Sequence, residues 1–250
     1  MRMFLFYAII QDMEKLERLN QYISKSGRCS RREADTAIVE GRVKINGELA
    51  SIGMRVNADD VVTLDDVIIQ HSKEHIILMY NKPAGITCTT EQHIPGNIID
   101  AINYPERIFP IGRLDKESEG LILLTNDGDL VNKILRHENA HEKEYLVKVN
   151  KSITSQFLRQ MAKGVSIHNP VTDEMTTTLP CTVFQVDDQH FKIILNQGLN
   201  RQIRRMCSAL DYRVIFLKRL RIMHLTVYQL KKGQTYRLTP EETEILISKL

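Results

Sequence analysis

Between Gly112 and Gly128 the chain reads Gly-Arg-Leu-Asp-Lys-Glu-Ser-Glu-Gly-Leu-Ile-Leu-Leu-Thr-Asn-Asp-Gly. Four successive apolar residues, Leu121 to Leu124, bounded by Gly120 and an Asn-Asp-Gly turn, spell a buried strand. Asp115 is thereby fixed just ahead of a core strand, with Arg113 and Lys116 beside it. A carboxylate held in that way is a candidate nucleophile or general base. Charge spacing alone equally allows a solvated ion pair at a strand start, a contact of small energetic weight.

A chain of 250 residues has room for one large domain or two smaller ones. With 42% apolar and 26% charged residues it can bury a core and stay soluble. Cys29, Cys88, Cys181 and Cys207 stand far apart, without metal-ligand or redox spacing, which predicts free thiols in a reducing, cytoplasmic compartment. The eight histidines offer no helical pair: His71/His75 and His137/His141 stand four apart but lie outside the expected helices, so no metal site is expected. The net charge of +3 is uneven: Arg201 to Arg221 holds seven Lys/Arg against one acid, and Lys15 to Lys44 eight against four. Two basic segments point to a polyanion contacted at two places. Each segment alone would pass for a solvated helix face.

Phe4 to Ile10 is too short to span a bilayer and lacks a cleavage site. Residues 1–16 are expected to be an extension, with Met13 a second candidate start. From 17 to 65 the pattern is two short helices and a hairpin: Leu19, Tyr22 and Ile23 on one face, a Ser30–Glu33 capping box ending at Gly41, then strands around an Asn46-Gly47 turn. Arg31 and Arg32 fall in the first helical turn, where the macrodipole disfavours cations unless an anion compensates. Residues 66–74 read as a linker.

In the remainder, 75–250, strands are expected at 76–80, 121–125, 145–149, 182–186, 190–195, 213–217 and 222–228. Helices are expected at 97–102, 129–136, 154–163, 200–210 and 240–249. The predicted class is α+β, a mostly antiparallel mixed sheet flanked by helices. In the helix after Asn200, Ile203, Met206, Cys207 and Leu210 face a core, and Arg201, Arg204 and Arg205 lie opposite.

The Gly112–Gly128 motif resembles the active-site motif of the RsuA-type pseudouridine synthases of ribosomal RNA. Lys82-Pro-Ala-Gly85, Lys143-Glu-Tyr145-Leu-Val and Gly198-Leu-Asn-Arg-Gln-Ile-Arg204 resemble three further motifs of that family. Residues 17–65 resemble an S4 RNA-binding domain, through Arg18-Leu-Asn-Gln-Tyr-Ile-Ser, Ser30-Arg-Arg-Glu-Ala-Asp and Gly41-Arg-Val-Lys44-Ile-Asn-Gly. Asn132-Lys-Ile-Leu-Arg, His141-Glu-Lys-Glu-Tyr-Leu-Val and Arg221-Ile-Met are similar to the RluF-type enzymes of the large subunit.

The resemblance implies isomerisation of uridine to pseudouridine, with 23S ribosomal RNA the expected substrate. It implies Asp115 as the catalytic carboxylate, Arg204 as its ion partner and Tyr145 as a stacking surface for the base. Arg113 would hold the RNA beside the everted base, and Arg18, Arg31, Arg32, Lys44, Arg201 and Arg205 would bind its phosphates. Lys82, Ile203, Leu220 and Ile222 are expected around the site. The chemistry needs no cofactor and no metal, and a monomer without membrane attachment is expected. The alternatives are the same reaction on 16S or transfer RNA, a non-catalytic ribosome-assembly factor, and a hydrolase releasing free base.

Overall fold

The computed structural model describes residues 16–70, 75–135, 141–169 and 173–250. The extension through residue 15, Met13 included, and linker residues 71–74 lie outside the described residues. Two compact units divide the rest: the chain through His75 together with Pro105–Arg107, and Ile76–Tyr104 with Ile108–Leu250.

The first unit is the expected helix pair beside a small sheet. β1 (Glu17–Arg18) leads into α1 (Leu19–Lys25), and α2 (Arg31–Val39) follows. The capping box closes at both ends: Glu33 N donates to Ser30 Oγ at 3.2 Å and Ser30 N to the Glu33 carboxylate at 2.5 Å. β2 (Val43–Ile45), β3 (Glu48–Leu49), β4 (Arg55–Val56), β5 (Val62–Leu64) and β6 (Val67–Ile68) complete the unit. The β2–β3 turn puts Asn46 and Gly47 at φ 52° and 91°, both left-handed, as a two-residue hairpin loop requires. Val67–Ile68, expected in a linker, instead pairs with β5, and Ile69 is buried in the core with Leu19, Ile23, Ala37 and Val62. Two polar residues, Asp65 and Asp66, hid the last hairpin, because both sit at its turn with positive φ.

The second unit is built on a nine-stranded mixed sheet. Its strands are β7 (Ile77–Lys82), β8 (Phe109–Ile111), β9 (Glu119–Thr125), β10 (Lys143–Val149), β13 (Thr182–Gln185), β14 (His190–Leu195), β15 (Val214–Ile222), β16 (Leu225–Thr226) and β17 (Thr235–Arg237). The path runs β13-β14-β10-β15-β9-β7-β17, with β16 on β15 and β8 on β9. β11 (Ser166–Asn169) and β12 (Glu174–Thr177) form a separate hairpin. Every pairing in the large sheet is antiparallel except β9 with β15.

Helices cover both faces: α3 (Ile98–Ile102), α4 (Gly128–Leu135), α5 (Ser155–Lys163), α6 (Gln202–Ala209) and α7 (Pro240–Ile247). That is why β9 is apolar without interruption. Ile122 and Leu124 pack with Phe157 of α5 and Ile203 and Met206 of α6, while Leu121 and Leu123 pack with Leu130 and Ile134 of α4 and Leu246 of α7. The strands expected at 213–217 and 222–228 are one continuous strand, β15, followed by the short β16. The basic residues 218, 219 and 221 looked like a connection, yet each has its own partner within the sheet.

Gly120 holds the parallel pairing. Its φ is +104°, and a Cβ there would stand 2.1 Å from the Arg219 carbonyl oxygen. Only glycine lets β9 start this close to β15, so the strand following the Asp115 loop has one possible position.

Candidate active site

Asp115 stands on the loop between β8 and β9, and four contacts fix that loop. Lys82, fully buried at the end of β7, donates from Nζ to the carbonyls of Pro83 and Ile86 at 2.9 Å and of Lys116 at 3.3 Å. Gly85 N adds a second bond to the Lys116 carbonyl at 2.7 Å. Leu114 N donates to Cys88 Sγ at 3.4 Å, and Ser118 N closes a turn onto the Asp115 carbonyl at 3.0 Å. Lys82 is therefore a brace behind the loop, where a wall of the site was expected. Burial lowers its ammonium pKa, against the opposing pull of Cys88, Glu119 and Asp115.

α6 brings the arginines. Arg204 Nε lies 3.3 Å from Asp115 Oδ2, and its Nη2 donates to the buried Ser118 Oγ at 2.9 Å. Arg201 Nη1 reaches the same carboxylate oxygen at 3.4 Å and Glu117 at 2.6 Å. Burial raises the Glu117 carboxyl pKa, but its own backbone N–H and Arg201 outweigh that and hold it below the usual range. Arg204 is the more enclosed arginine, with 15% of its side chain exposed against 44% for Arg201. Asp115 keeps 28% of its side chain open to the cleft, so it is reachable by a substrate while held by two cations.

Asn200 does not cap α6. Arg201 occupies that position with φ 48° and no side-chain cap, and the buried Gln202 closes the turn instead, accepting from Leu199 N at 3.0 Å and donating to Gln197 at 3.3 Å. The left-handed arginine turns the guanidinium of Arg201 toward Asp115. Cys207, one turn below Arg204, is a buried thiol with its pKa pushed up to about 12, so it is no competing nucleophile.

Tyr145 on β10, Ile203 and Arg113 line the space above Asp115, together with Leu114, Leu195 and Leu217. Around it opens a cleft of about 670 Å³ lined by Arg113, Lys116, Lys143, Arg201 and Arg219, with Asp115 the one carboxylate among the described lining residues. Leu220 is not in this wall. It packs on the opposite sheet face with Leu121 and Leu123, because neighbouring residues of β15 alternate; Ile222, past a register shift in the β10–β15 pairing, does reach the cleft.

The remaining cations divide. Arg18, Arg31 and Arg32 are exposed on the first unit, and Lys44 is paired with Asp66 at 2.7 Å. Arg205, expected to bind phosphate, is used internally: Nη1 donates to the His168 carbonyl at 2.6 Å and fastens α6 to β11. Arg221 is likewise held by Glu142 and Glu144 at 2.9 and 3.1 Å. Sequence reasoning missed Ser118, Glu117 and Gln202, whose roles depend on what approaches them from distant segments. It also missed Lys143, which stands in the Tyr145 motif, and Arg219, which stands in the basic run from Arg201 to Arg221. Among the described residues no three His, Cys, Asp or Glu converge as metal ligands, and no helix is long and apolar enough to cross a membrane.

A reachable carboxylate braced by guanidinium groups, in a cleft whose other charged lining residues are all cations among those described, suits an enzyme with an anionic substrate. Comparison with known proteins narrows the class. The profile described as RNA pseudouridylate synthase matches residues 76–209, more than half of the chain, and that of the S4 domain matches residues 17–62. The chain thus belongs to the RNA pseudouridylate synthases and carries an S4 domain. It is 51% identical over 227 residues to the dual-specificity RNA pseudouridine synthase RluF of Salmonella typhi, an alignment covering 90% of this chain and 76% of that one. Ribosomal large subunit pseudouridine synthase B of Bacillus subtilis is 32% identical, over 92% and 96% of the two chains. A crystal structure of a pseudouridylate synthase superposes with a TM-score of 0.66 at 28% identity, covering 91% of this chain and 98% of the other.

Proposed function

We propose that this pseudouridine synthase acts on a uridine in structured 23S ribosomal RNA, with Asp115 as the reacting carboxylate. The identity to RluF and to a large-subunit enzyme supports that substrate. RluF is named as having dual specificity, which keeps a second RNA, such as a transfer RNA, within reach of the same site. The observation that carries the residue roles is the Asp115–Arg204 contact at 3.3 Å, placed in a cleft of about 670 Å³.

The target base leaves its stack at a cost of a few kcal/mol, lower in a loop than in a duplex. Stacking on Tyr145 returns about 1–3 kcal/mol, and Arg113, exposed at the cleft edge, holds the RNA around the vacated position. The bond between ribose C1′ and uracil N1 then breaks. Asp115 either attacks C1′ or removes the C2′ proton, and both routes need a carboxylate oxygen held in place beside the sugar, which the contacts to Arg201 and Arg204 provide. The base turns and rejoins through C5. The C5 hydrogen leaves as a proton and N1 regains one, so atoms and charge balance without an oxidant. Ile203, Leu114 and Leu217 keep water from the cleaved intermediate; hydrolysis there would release free base.

The S4 unit, through Arg18, Arg31 and Arg32, grips the RNA. The protein works as a monomer in the cytoplasm. Ribosomal RNA labelled with tritium at uracil C5 tests the reading: release of tritium with the base still attached to the chain is expected. Release of free uracil, or none of either, overturns it.

A further inference from the structure

The cleft contains one buried cation, Arg219, and one half-buried cation, Lys143, that the chemistry at Asp115 does not use. Lys143 and Tyr145 lie two residues apart on β10, so their side chains share one face of the sheet. Arg219 sits directly opposite Tyr145 on β15 and projects from that same face. All three line the cleft. Arg219 is 4% exposed; its Nε donates to the Leu121 carbonyl at 2.6 Å, and its Nη2 is buried with no partner among the described residues. Among the described residues Lys143 Nζ has one hydrogen bond, to the His141 carbonyl at 3.0 Å.

Among the described residues, neither cation meets a carboxylate there. The one acid lining the cleft among the described residues, Asp115, is taken by Arg201 and Arg204. Glu144, between Lys143 and Tyr145, points to the other face, where Lys192 and Arg221 hold it. The two cations also repel each other, for Lys143 has its pKa lowered first by burial and then by Arg219. Two like charges enclosed together, one with a buried unsatisfied donor, call for a compensating group, and an anion between them supplies it.

We propose that Lys143 and Arg219 form a phosphate subsite for the nucleotide being isomerised, seating a phosphate that flanks the everted uridine while the base lies on Tyr145. Phosphates carry the only formal negative charges in RNA. Two positions along a strand span about 7 Å, comparable to the reach from a nucleotide's base to its own phosphate. Arg219 is pre-aimed, because its Leu121 bond and the Gly120 close approach fix β15 against the strand that follows Asp115. The subsite would thus set the sugar's distance from the carboxylate, independently of any grip by the S4 unit. This inference rests on the proposed reaction and makes the site's substrate an anionic nucleotide rather than a bare nucleoside.

Uridine 3′,5′-bisphosphate and uridine are the probes, offered to the full chain at low salt. Calorimetry should show the bisphosphate binding at least tenfold more tightly. Acetylation of Lys143, read by peptide mass, should slow at least fivefold with the bisphosphate and not with uridine. Lys143→Met and Arg219→Lys should each shrink the bisphosphate advantage, and Asp115→Asn should leave it intact; Lys143→Met keeps the test decisive should the buried Arg219 variant misfold. Equal binding of the two probes, unslowed acetylation, or a full advantage in Lys143→Met overturns the subsite. Each of these results is separate from tritium release by the wild-type enzyme, which alone decides the proposed reaction.

Discussion

The two units hold their positive charge in opposite ways. On the small unit, Arg18, Arg31 and Arg32 are exposed, and Arg42 and Lys44 reach out to Asp65 and Asp66 at 2.6 and 2.7 Å with much of each side chain in water. On the large unit, Arg204, Arg219 and Lys143 are enclosed, each aimed by backbone or side-chain bonds. Exposed charges act through a screened field and add affinity that falls with salt. Enclosed charges act at fixed distances in a lower dielectric and are worth more where charge develops. On the proposed reading, the difference separates a general grip on RNA from the placement of one nucleotide in the cleft.

The sharpest way to break that separation is at Asp115. Asp115→Asn keeps the shape and removes the charge, and should reduce turnover by on the order of 10⁴-fold. RNA affinity should change little, because the exposed cations are elsewhere. Gel-shift titration beside tritium release checks both halves; a large loss of affinity would mean the carboxylate organises binding rather than chemistry. Arg204→Met comes next, with an expected loss of about 10²–10³-fold in turnover. Arg201 remains 3.4 Å from the carboxylate, so the effect should be smaller than at Asp115. Single-turnover rates at saturating RNA report it without interference from binding.

The exposed side is tested by Arg31→Ala combined with Arg32→Ala. Each lost phosphate contact removes roughly 0.7–0.9 from the slope of log K against log salt, so the pair should flatten it by about 1.5. The single-turnover rate at saturation should stay at the wild-type value. An unchanged slope would remove those arginines from the RNA interface.

How much of this was legible follows from how local each signal is. The Ser30–Glu33 box and the Asn46-Gly47 turn are written within four residues, and each formed where expected. Asp115 and Arg204 are 89 residues apart, and only a family resemblance joined them in advance; nothing in either segment's spacing requires the contact. Arg205 shows the reverse. Its helix face is that of a solvated cation, yet the His168 carbonyl, from a hairpin the sequence pattern did not reveal, draws it inward. Leu220 was assigned to the cleft because residue 220 falls near the motif, but strand alternation within an unexpectedly continuous β15 sends it to the other face. Short-range hydrogen bonding can be read along a chain, whereas the partners of a long polar side chain are set by the sheet order.

The smallest expected effect is the most discriminating about enclosed charge. An ordinary lysine titrates near 10.5, and burial followed by Arg219 repulsion places Lys143 below that. Between its folded value and 10.5 the unfolded chain binds more protons than the folded one, so this residue makes the wild type gain stability as pH rises through that window. Below the window the whole cost of enclosing the charge is present. Lys143→Met removes it while keeping the side chain's apolar length. The variant should therefore melt higher at pH 7, by about 2–4 °C for a change near 1 kcal/mol in a domain of this size, and the gap should close as pH approaches 10.5. Thermal melts followed by circular dichroism at several pH values give both numbers. A variant that melts lower at pH 7 would show that the bond to the His141 carbonyl outweighs the enclosure. Lys143 would then be a structural residue, and the enclosed cations of the large unit would no longer contrast with the surface pairs of the small one.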